Sequence, residues 1–451
     1  MTFRLLACIM LIQSVFVFSQ HIKIQIDGSI GKKAAVFSLS GEKTAFVDSI
    51  QLEKAGDIEW NALPAKYHTG LYRVSIKNTS VDFVYDGNDV SLRTNFITIA
   101  DSMVVSAGLS NRLYYSFRKL QNTYKLKSEL LQVILARFPK DDEYYKTTKE
   151  RYFTLQNEYL HFVNEQSQQD PKSFIARYIR SAQLPIADPQ LPIEKQLSFL
   201  RAHALDNVNF NDVDLTNSDL FTNKSIEYLM LYRNPQLSKE MLEKEFTVAV
   251  DSLLIRAKIN PFVYSHITEY LVDGFKKFGF DHAIDYILEN YVIKDDICLD
   301  QKLETTLQRR MDQARKLKIG MTSPNIALPD TDGKIVELNA MHAAKTLLIF
   351  YASWCPHCKD LLPNLAKFYK EQKEKNLEII AISIDTNRTD WLQFLISNHL
   401  EFTNVCDLKG WSGKAANDYF IYATPTLFLL NKKLEILAKP AGIEELRKFL
   451  N

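Results

Sequence analysis

Apolar and polar residues alternate along the first part of this chain, up to about residue 108. The alternation is clearest in four short segments, at residues 21–26, 34–39, 71–76 and 81–85. Pairs that end in glycine, such as Asp27-Gly28, separate the segments, as hairpins and tight turns require. A period of two is typical of strands with one buried face. The pattern therefore predicts an all-β, sandwich-like domain over residues 20–108.

Over residues 109–318 the apolar positions recur every three or four residues, which is the period of an amphipathic helix. Asp170-Pro171 and Asn260-Pro261 each resemble a helix start, with a capping side chain followed by proline at the first helical position. We predict a central all-α domain. Its last helix, at about residues 300–317, is rich in Lys and Arg, and we interpret it as a solvated helix that leads into a linker.

After residue 319 strands alternate with helices. Residues 346–351 form an almost continuous apolar stretch, as expected of a strand that is covered on both faces. A helix is predicted to begin at Cys355, and further strands follow at residues 377–383 and 426–430. A βαβ unit continued by a hairpin and a helix predicts an α/β thioredoxin-like fold over residues 319–451. The whole chain is thus expected to be multidomain.

The overall charge argues against a polyanion as partner. The 451 residues include 55 Lys plus Arg and 54 Asp plus Glu, so no large field would recruit nucleic acid or an anionic membrane surface.

The first 19 residues have the pattern of a secretory signal peptide. Arg4 precedes an apolar stretch at residues 5–18, too short for a membrane span, and we place the cleavage site after Ser19. Cys8 completes a sequence that resembles a lipoprotein cleavage box, but we assign it to the apolar stretch because only four residues precede that box. We expect a mature protein that is secreted across the inner membrane, periplasmic and soluble, without stable membrane insertion.

Two of the remaining cysteines, Cys355 and Cys358, form a C-x-x-C motif where a buried strand leads into a helix. The free N–H groups and the positive end of the helix dipole stabilise a thiolate at the first position. Cys355 is therefore predicted to be the nucleophile, with a pKa below the free-cysteine value of about 8.5. Cys358, one turn further on, would resolve the mixed disulfide, so the two would form a redox-active disulfide. A cationic His357 would lower the pKa of Cys355 further.

Other uses of a C-x-x-C motif fit less well. A zinc site needs four ligands, and no second C-x-x-C or suitable histidine pair follows. Haem attachment requires histidine directly after the second cysteine, where this chain has Lys359. We therefore expect neither a metal nor a cofactor. Cys298 and Cys406 are interpreted as small buried residues.

Three separated elements resemble the TlpA/ResA branch of the thioredoxin-like thiol–disulfide oxidoreductases. They are the motif at residues 353–359, the helix proline Pro363 and the pair Thr424-Pro425. The resemblance implies that Pro425 is a cis-proline that faces the disulfide and that Thr424 offers backbone hydrogen bonds to a thiol substrate. It also implies a group of active-site and substrate-docking residues beside the cysteines, namely Trp354, Pro356 and His357.

The chain departs from the family pattern in its acidic residues. The positions that hold an active-site carboxylate in thioredoxin and in ResA correspond to Ile349 and Leu361. The proton acceptor for resolution is therefore not identified, and Asp360 and Glu337 are candidates. Surface carboxylates are the alternative interpretation of both.

Taken together, the residues and the resemblance predict an extracytoplasmic oxidoreductase that exchanges disulfides with protein thiols and disulfides. The resemblance favours a reductase, which needs electrons from a membrane partner, whereas Pro356-His357 favours a DsbA-like oxidant or isomerase. A peroxidase is disfavoured because the P-x-x-x-[ST]-x-x-C setting of peroxiredoxins is absent before Cys355. A non-enzymatic adaptor with a redox-sensing domain is a further alternative.

Overall fold

The computed structural model describes residues 20–31, 33–62, 66–99, 101–295, 305–372 and 376–450. The chain divides into two compact units, one up to Ala283 and one from Ile284 onward. The proposed signal peptide, with Cys8, and also Cys298 lie outside the described residues. The division into three domains remains a prediction.

The N-terminal region of the first unit consists of strands, where the alternating pattern predicts them. Their bounds are β1 (Gln20–Asp27), β2 (Lys33–Ser40), β3 (Lys43–Gln51), β4 (Asp57–Ala62), β5 (Gly70–Ile76), β6 (Thr79–Tyr85), β7 (Val90–Asn95) and β8 (Val104–Ala107). They form two four-stranded sheets, in the orders β4-β1-β7-β8 and β3-β2-β5-β6. Buried residues of both sheets, such as Ile24, Trp60, Val74 and Phe83, share one core, so the region is sandwich-like.

Helices make up the rest of the first unit. Their bounds are α1 (Leu109–Arg137), α2 (Glu143–Gln169), α3 (Phe174–Ala182), α4 (Ile193–His203), α5 (Leu220–Met230), α6 (Lys239–Ala257), α7 (Pro261–Phe278) and α8 (Asp281–Ile287), in which the unit ends. Asn260 caps α7 as predicted. The helix start predicted at Asp170-Pro171 is wrong: Asp170 ends α2, and the Ser173 hydroxyl caps α3 by accepting from the Ala176 amide.

The second unit contains a mixed five-stranded sheet in the order β13-β12-β11-β14-β15. The central strand β11 is parallel to β12 and antiparallel to β14, and it is buried along almost its whole length. The bounds are α9 (Thr305–Lys316), β9 (Ala327–Pro329), β10 (Ile335–Glu337), β11 (Lys345–Tyr351), α10 (Pro356–Gln372), β12 (Leu377–Ser383), α11 (Arg388–Ser397), β13 (Thr403–Cys406), α12 (Lys414–Asp418), β14 (Thr426–Asn431), β15 (Ile436–Ala438) and α13 (Ile443–Lys448). This is the predicted thioredoxin-like arrangement, with β13 as an additional strand.

Helix α9 is part of this second unit and is not a solvated lead-in. Arg310 is 9% exposed and Gln313 is 5% exposed, and Met311 and Leu317 are buried beside them. The interpretation of a solvated helix is therefore wrong. The Lys and Arg content predicts a polar helix, but two of its polar side chains face protein rather than water.

Among the residues that the structure describes, no helix is both long enough and apolar enough to cross a membrane.

Candidate active site

Cys355 lies in the short connection between the central strand β11 and helix α10. Its backbone amide donates to the carbonyl oxygen of Ala352 at 3.2 Å, which closes a tight turn. Pro356 then begins α10, a position that suits proline because the first helical N–H has no partner within the helix. The Cys355 sulfur thus lies at the helix N-terminus, as the sequence predicts.

The two cysteines differ in exposure and in proton affinity. Both are free thiols; Cys355 is 5% exposed and Cys358 is fully buried. Burial raises the pKa of Cys355, but hydrogen bonds from the Thr424 side chain, from the Cys358 thiol and from the backbone amides of Cys358 and His357 outweigh it, so the pKa lies below its ordinary value. Burial raises the pKa of Cys358 to about 12. Cys355 is therefore the better nucleophile near neutral pH.

His357 contributes to the lowered pKa of Cys355 through its main chain. It contributes through its backbone amide, and its side chain is exposed on the first turn of α10. Any residue other than proline would supply the same amide.

The loop before β14 brings Thr424 to the first cysteine. The Cys355 thiol donates to the carbonyl oxygen of Thr424 at 3.2 Å, and the peptide bond between Thr424 and Pro425 is cis. Both loop residues are half-buried, whereas Trp354 is 54% exposed and Pro356 is also exposed. The structure therefore brings Cys355, Cys358 and Thr424 into contact, with Trp354, Pro356 and His357 at the surface beside them.

A buried carboxylate that the sequence analysis missed, Asp385, supports the turn before Cys355. Asp385 is 2% exposed. Its carboxylate accepts from the Ser353 amide at 3.0 Å, from the Ser353 hydroxyl at 2.7 Å and from the Ser383 hydroxyl at 2.6 Å. Asp360 and Glu337, the candidates from sequence, are both exposed.

Further polar side chains lie behind this turn, in the interior of the unit. The Trp391 indole donates to the Tyr351 hydroxyl at 2.8 Å, and Asn404 lies 3.2 Å from the same oxygen. Burial raises the pKa of Tyr351 far above its ordinary value, with smaller contributions from Asp385 and the thiols. Cys406 is buried as predicted, 3% exposed, and its thiol lies 3.5 Å from the Asp385 carbonyl oxygen.

Comparison with known proteins gives the same assignment for the second unit. Residues 319–439 match the model of the AhpC/TSA family. Thiol-disulfide oxidoreductase ResA of Bacillus cereus is 30% identical over 149 residues, which are 32% of this chain and 84% of that protein. Sporulation thiol-disulfide oxidoreductase A of Bacillus subtilis is 36% identical over 95 residues, which are 20% of this chain and 56% of that protein.

A solved structure of a thiol-disulfide oxidoreductase from Bacteroides fragilis is 32% identical and covers 29% of this chain and 97% of its own, with a TM-score of 0.28. The curated relative from Bacillus cereus is named a thiol-disulfide oxidoreductase, and the C-x-x-C motif lies inside the residues that match the family model. The chain is therefore an enzyme of this class, a thiol–disulfide oxidoreductase. Through its C-terminal region, this chain belongs to the ResA-like thiol–disulfide oxidoreductases of the AhpC/TSA family.

Proposed function

We propose that this protein exchanges disulfides with partner proteins outside the cytoplasm, through Cys355 and Cys358. The observation that carries the proposal is the placement of the two thiols. Cys355 lies at the N-terminus of α10 in contact with Thr424, and Cys358 is fully buried one helical turn further on. The pKa of Cys355 is lowered, and that of Cys358 is raised to about 12. One thiol is thus ready to attack, while the other keeps its proton until a mixed disulfide forms.

In the reducing direction, the Cys355 thiolate attacks one sulfur of a partner disulfide. An S–S bond forms between Cys355 and that sulfur, and the partner's other sulfur leaves as a thiolate and takes up a proton. Cys358 then loses its proton and attacks Cys355, which releases the partner's first sulfur. The partner gains two electrons and two protons, and the enzyme is left with a Cys355–Cys358 disulfide.

Reduction is the direction that we propose. The argument for an oxidant rests on a cationic His357, but its side chain is exposed to water, where a charge is screened. The resemblance to ResA-like proteins then favours a reductase. Because each cycle consumes two electrons, a dithiol of a membrane electron-transfer protein is the proposed donor.

Partner proteins are proposed to dock on the surface around Cys355. Trp354 is 54% exposed directly before the cysteine, and Pro356 and His357 are exposed directly after it. Thr424, which precedes the cis-proline Pro425, contacts the thiol from the other side. A substrate thiol that displaces the Cys355 hydrogen bond would find the Thr424 carbonyl oxygen as an acceptor.

The location of the protein is a separate part of the proposal and has its own test. Residues 1–19 are proposed to be removed during secretion to the periplasm. N-terminal sequencing of the protein purified from its own cells should begin at Gln20, within a residue or two. A mature chain that begins at Met1 would contradict secretion by this route.

The reduction potential of the Cys355–Cys358 pair against glutathione tests the direction. A reductase should have a value near that of thioredoxin, about −270 mV, and should reduce insulin disulfides. A value near about −120 mV would make the protein an oxidant or isomerase. A pair that does not cycle would leave the adaptor with a redox-sensing domain as the better account.

A further inference from the structure

We propose that helix α9, which lies upstream of the family match, positions the substrate-binding loop through Arg309 and Gln313. The loop in question is residues 419–424, and we call it the docking loop. The inference rests on the proposed function, because it assigns a role in partner binding to a helix outside residues 319–439.

The contacts of α9 fall on consecutive residues of the docking loop. The Arg309 guanidinium donates to the carbonyl oxygen of Ile421 at 2.9 Å, and its other nitrogen donates to the Asn417 side chain at 2.7 Å. The Gln313 amide donates to the carbonyl oxygens of Tyr419 at 3.0 Å and Phe420 at 3.4 Å. Two side chains of one helix thus hold three successive carbonyl groups.

The next residue of the loop, Tyr422, is held as well. The Arg310 guanidinium lies 4.4 Å from the centre of the Tyr422 ring and donates to Asp285 at 3.2 Å. The Tyr422 hydroxyl lies 3.4 Å from the same carboxylate. Such a cation over an aromatic face is favourable, and more so when it is shielded from water, as Arg310 is at 9% exposure.

The held segment leads directly to the active site. Only Ala423 separates Tyr422 from Thr424, whose carbonyl oxygen accepts from the Cys355 thiol at 3.2 Å. Phe420 has a positive φ of 50°, a conformation that a bulky residue adopts at a cost unless its surroundings hold it. The bonds from Gln313 to the carbonyls of Tyr419 and Phe420 flank this residue. The position of Thr424 relative to Cys355 thus depends on α9.

The test uses the full-length chain with Arg309→Met and Gln313→Leu combined. We expect the KM for insulin disulfide to rise at least fivefold, with little change in kcat. We also expect the pKa of Cys355, followed by thiolate absorbance at 240 nm, to rise, because the hydrogen bond from the Thr424 side chain that lowers it weakens. Arg315→Met is the matched control, since Arg315 is exposed on the same helix.

A double variant with the KM and the Cys355 pKa of the control would overturn the proposal, because a merely structural helix would change the melting temperature alone. If the double variant does not fold, Arg309→Lys replaces it, since lysine keeps the charge but cannot reach both acceptors. Should the wild-type protein fail to reduce insulin, the proposed function fails. The pKa measurement would still decide whether α9 positions the loop.

Discussion

The carboxylate of Asp385 accepts hydrogen bonds from both the backbone amide and the hydroxyl of Ser353. Ser353 lies two residues before Cys355, so this relationship fixes the turn that carries the proposed nucleophile. Ser383 donates a third hydrogen bond to the same carboxylate. A buried carboxylate is stable only when its oxygens are satisfied in this way.

Replacement of Asp385 by alanine should lower both stability and reactivity. Three buried donors would lose their acceptor, and we expect a loss of about 3 kcal/mol in the free energy of unfolding. The Ser353–Cys355 turn should loosen, which slows alkylation of Cys355. Urea unfolding and alkylation rates check both effects. Asp332→Ala, at an exposed turn, is the control, and equal losses in the two variants would contradict the assigned role.

The rate at which each cysteine of the reduced protein is alkylated should depend on pH according to the pKa of its thiol, which differs between Cys355 and Cys358. A thiolate reacts and a thiol does not, so a lowered pKa shifts the rate profile of Cys355 to a lower pH than that of a free cysteine, about 8.5. With a pKa of about 12, Cys358 would be a thiolate in a fraction on the order of 10⁻⁵ at pH 7. Mass spectrometry of iodoacetamide-treated protein should therefore find the label on Cys355. Labelling of Cys358 at a comparable rate would contradict the assignment.

Strong hydrophobic periodicity explains why much of the fold could be predicted from sequence. Strand β11 is a continuous apolar stretch because both its faces are covered, and its predicted and observed bounds differ by a single residue. Strand β13 was not predicted, since it has four residues, Thr403–Cys406, and a mixed polar and apolar pattern. Pairing with β12 along the sheet, rather than local pattern, makes this segment a strand.

Asp385 could have been found from sequence by extending the strand register. Strands β11 and β12 are parallel, with Tyr351 opposite Ser383. Two residues further, Ser353 falls opposite Asp385 at the carboxyl edge of the sheet, where polar side chains of parallel strands converge. The role of α9 had no such signal, because its partners are backbone carbonyls of a loop about 100 residues later in the chain.

Replacement of Cys358 by serine should trap a partner on Cys355. The first exchange step needs only Cys355, whereas release of the partner needs the second thiol. We expect a mixed disulfide between Cys355 and either insulin or a native partner. This adduct should survive non-reducing electrophoresis and disappear when dithiothreitol is added. Cys406→Ser provides the matched control, since that thiol is also buried. Trapping by Cys355→Ser instead would reverse the roles of the two cysteines.

Thr424→Val and His357→Ala separate the sources of the lowered Cys355 pKa. Valine keeps the shape of threonine but lacks the hydroxyl, so the hydrogen bond that lowers the pKa is lost and the pKa should rise. Alanine at position 357 keeps the backbone amide, so the pKa should change by less than about half a unit, or about 0.7 kcal/mol. Thiolate absorbance at 240 nm against pH measures both. A rise of a unit or more in His357→Ala would mean that the imidazole charge stabilises the thiolate, and the case for an oxidant would return.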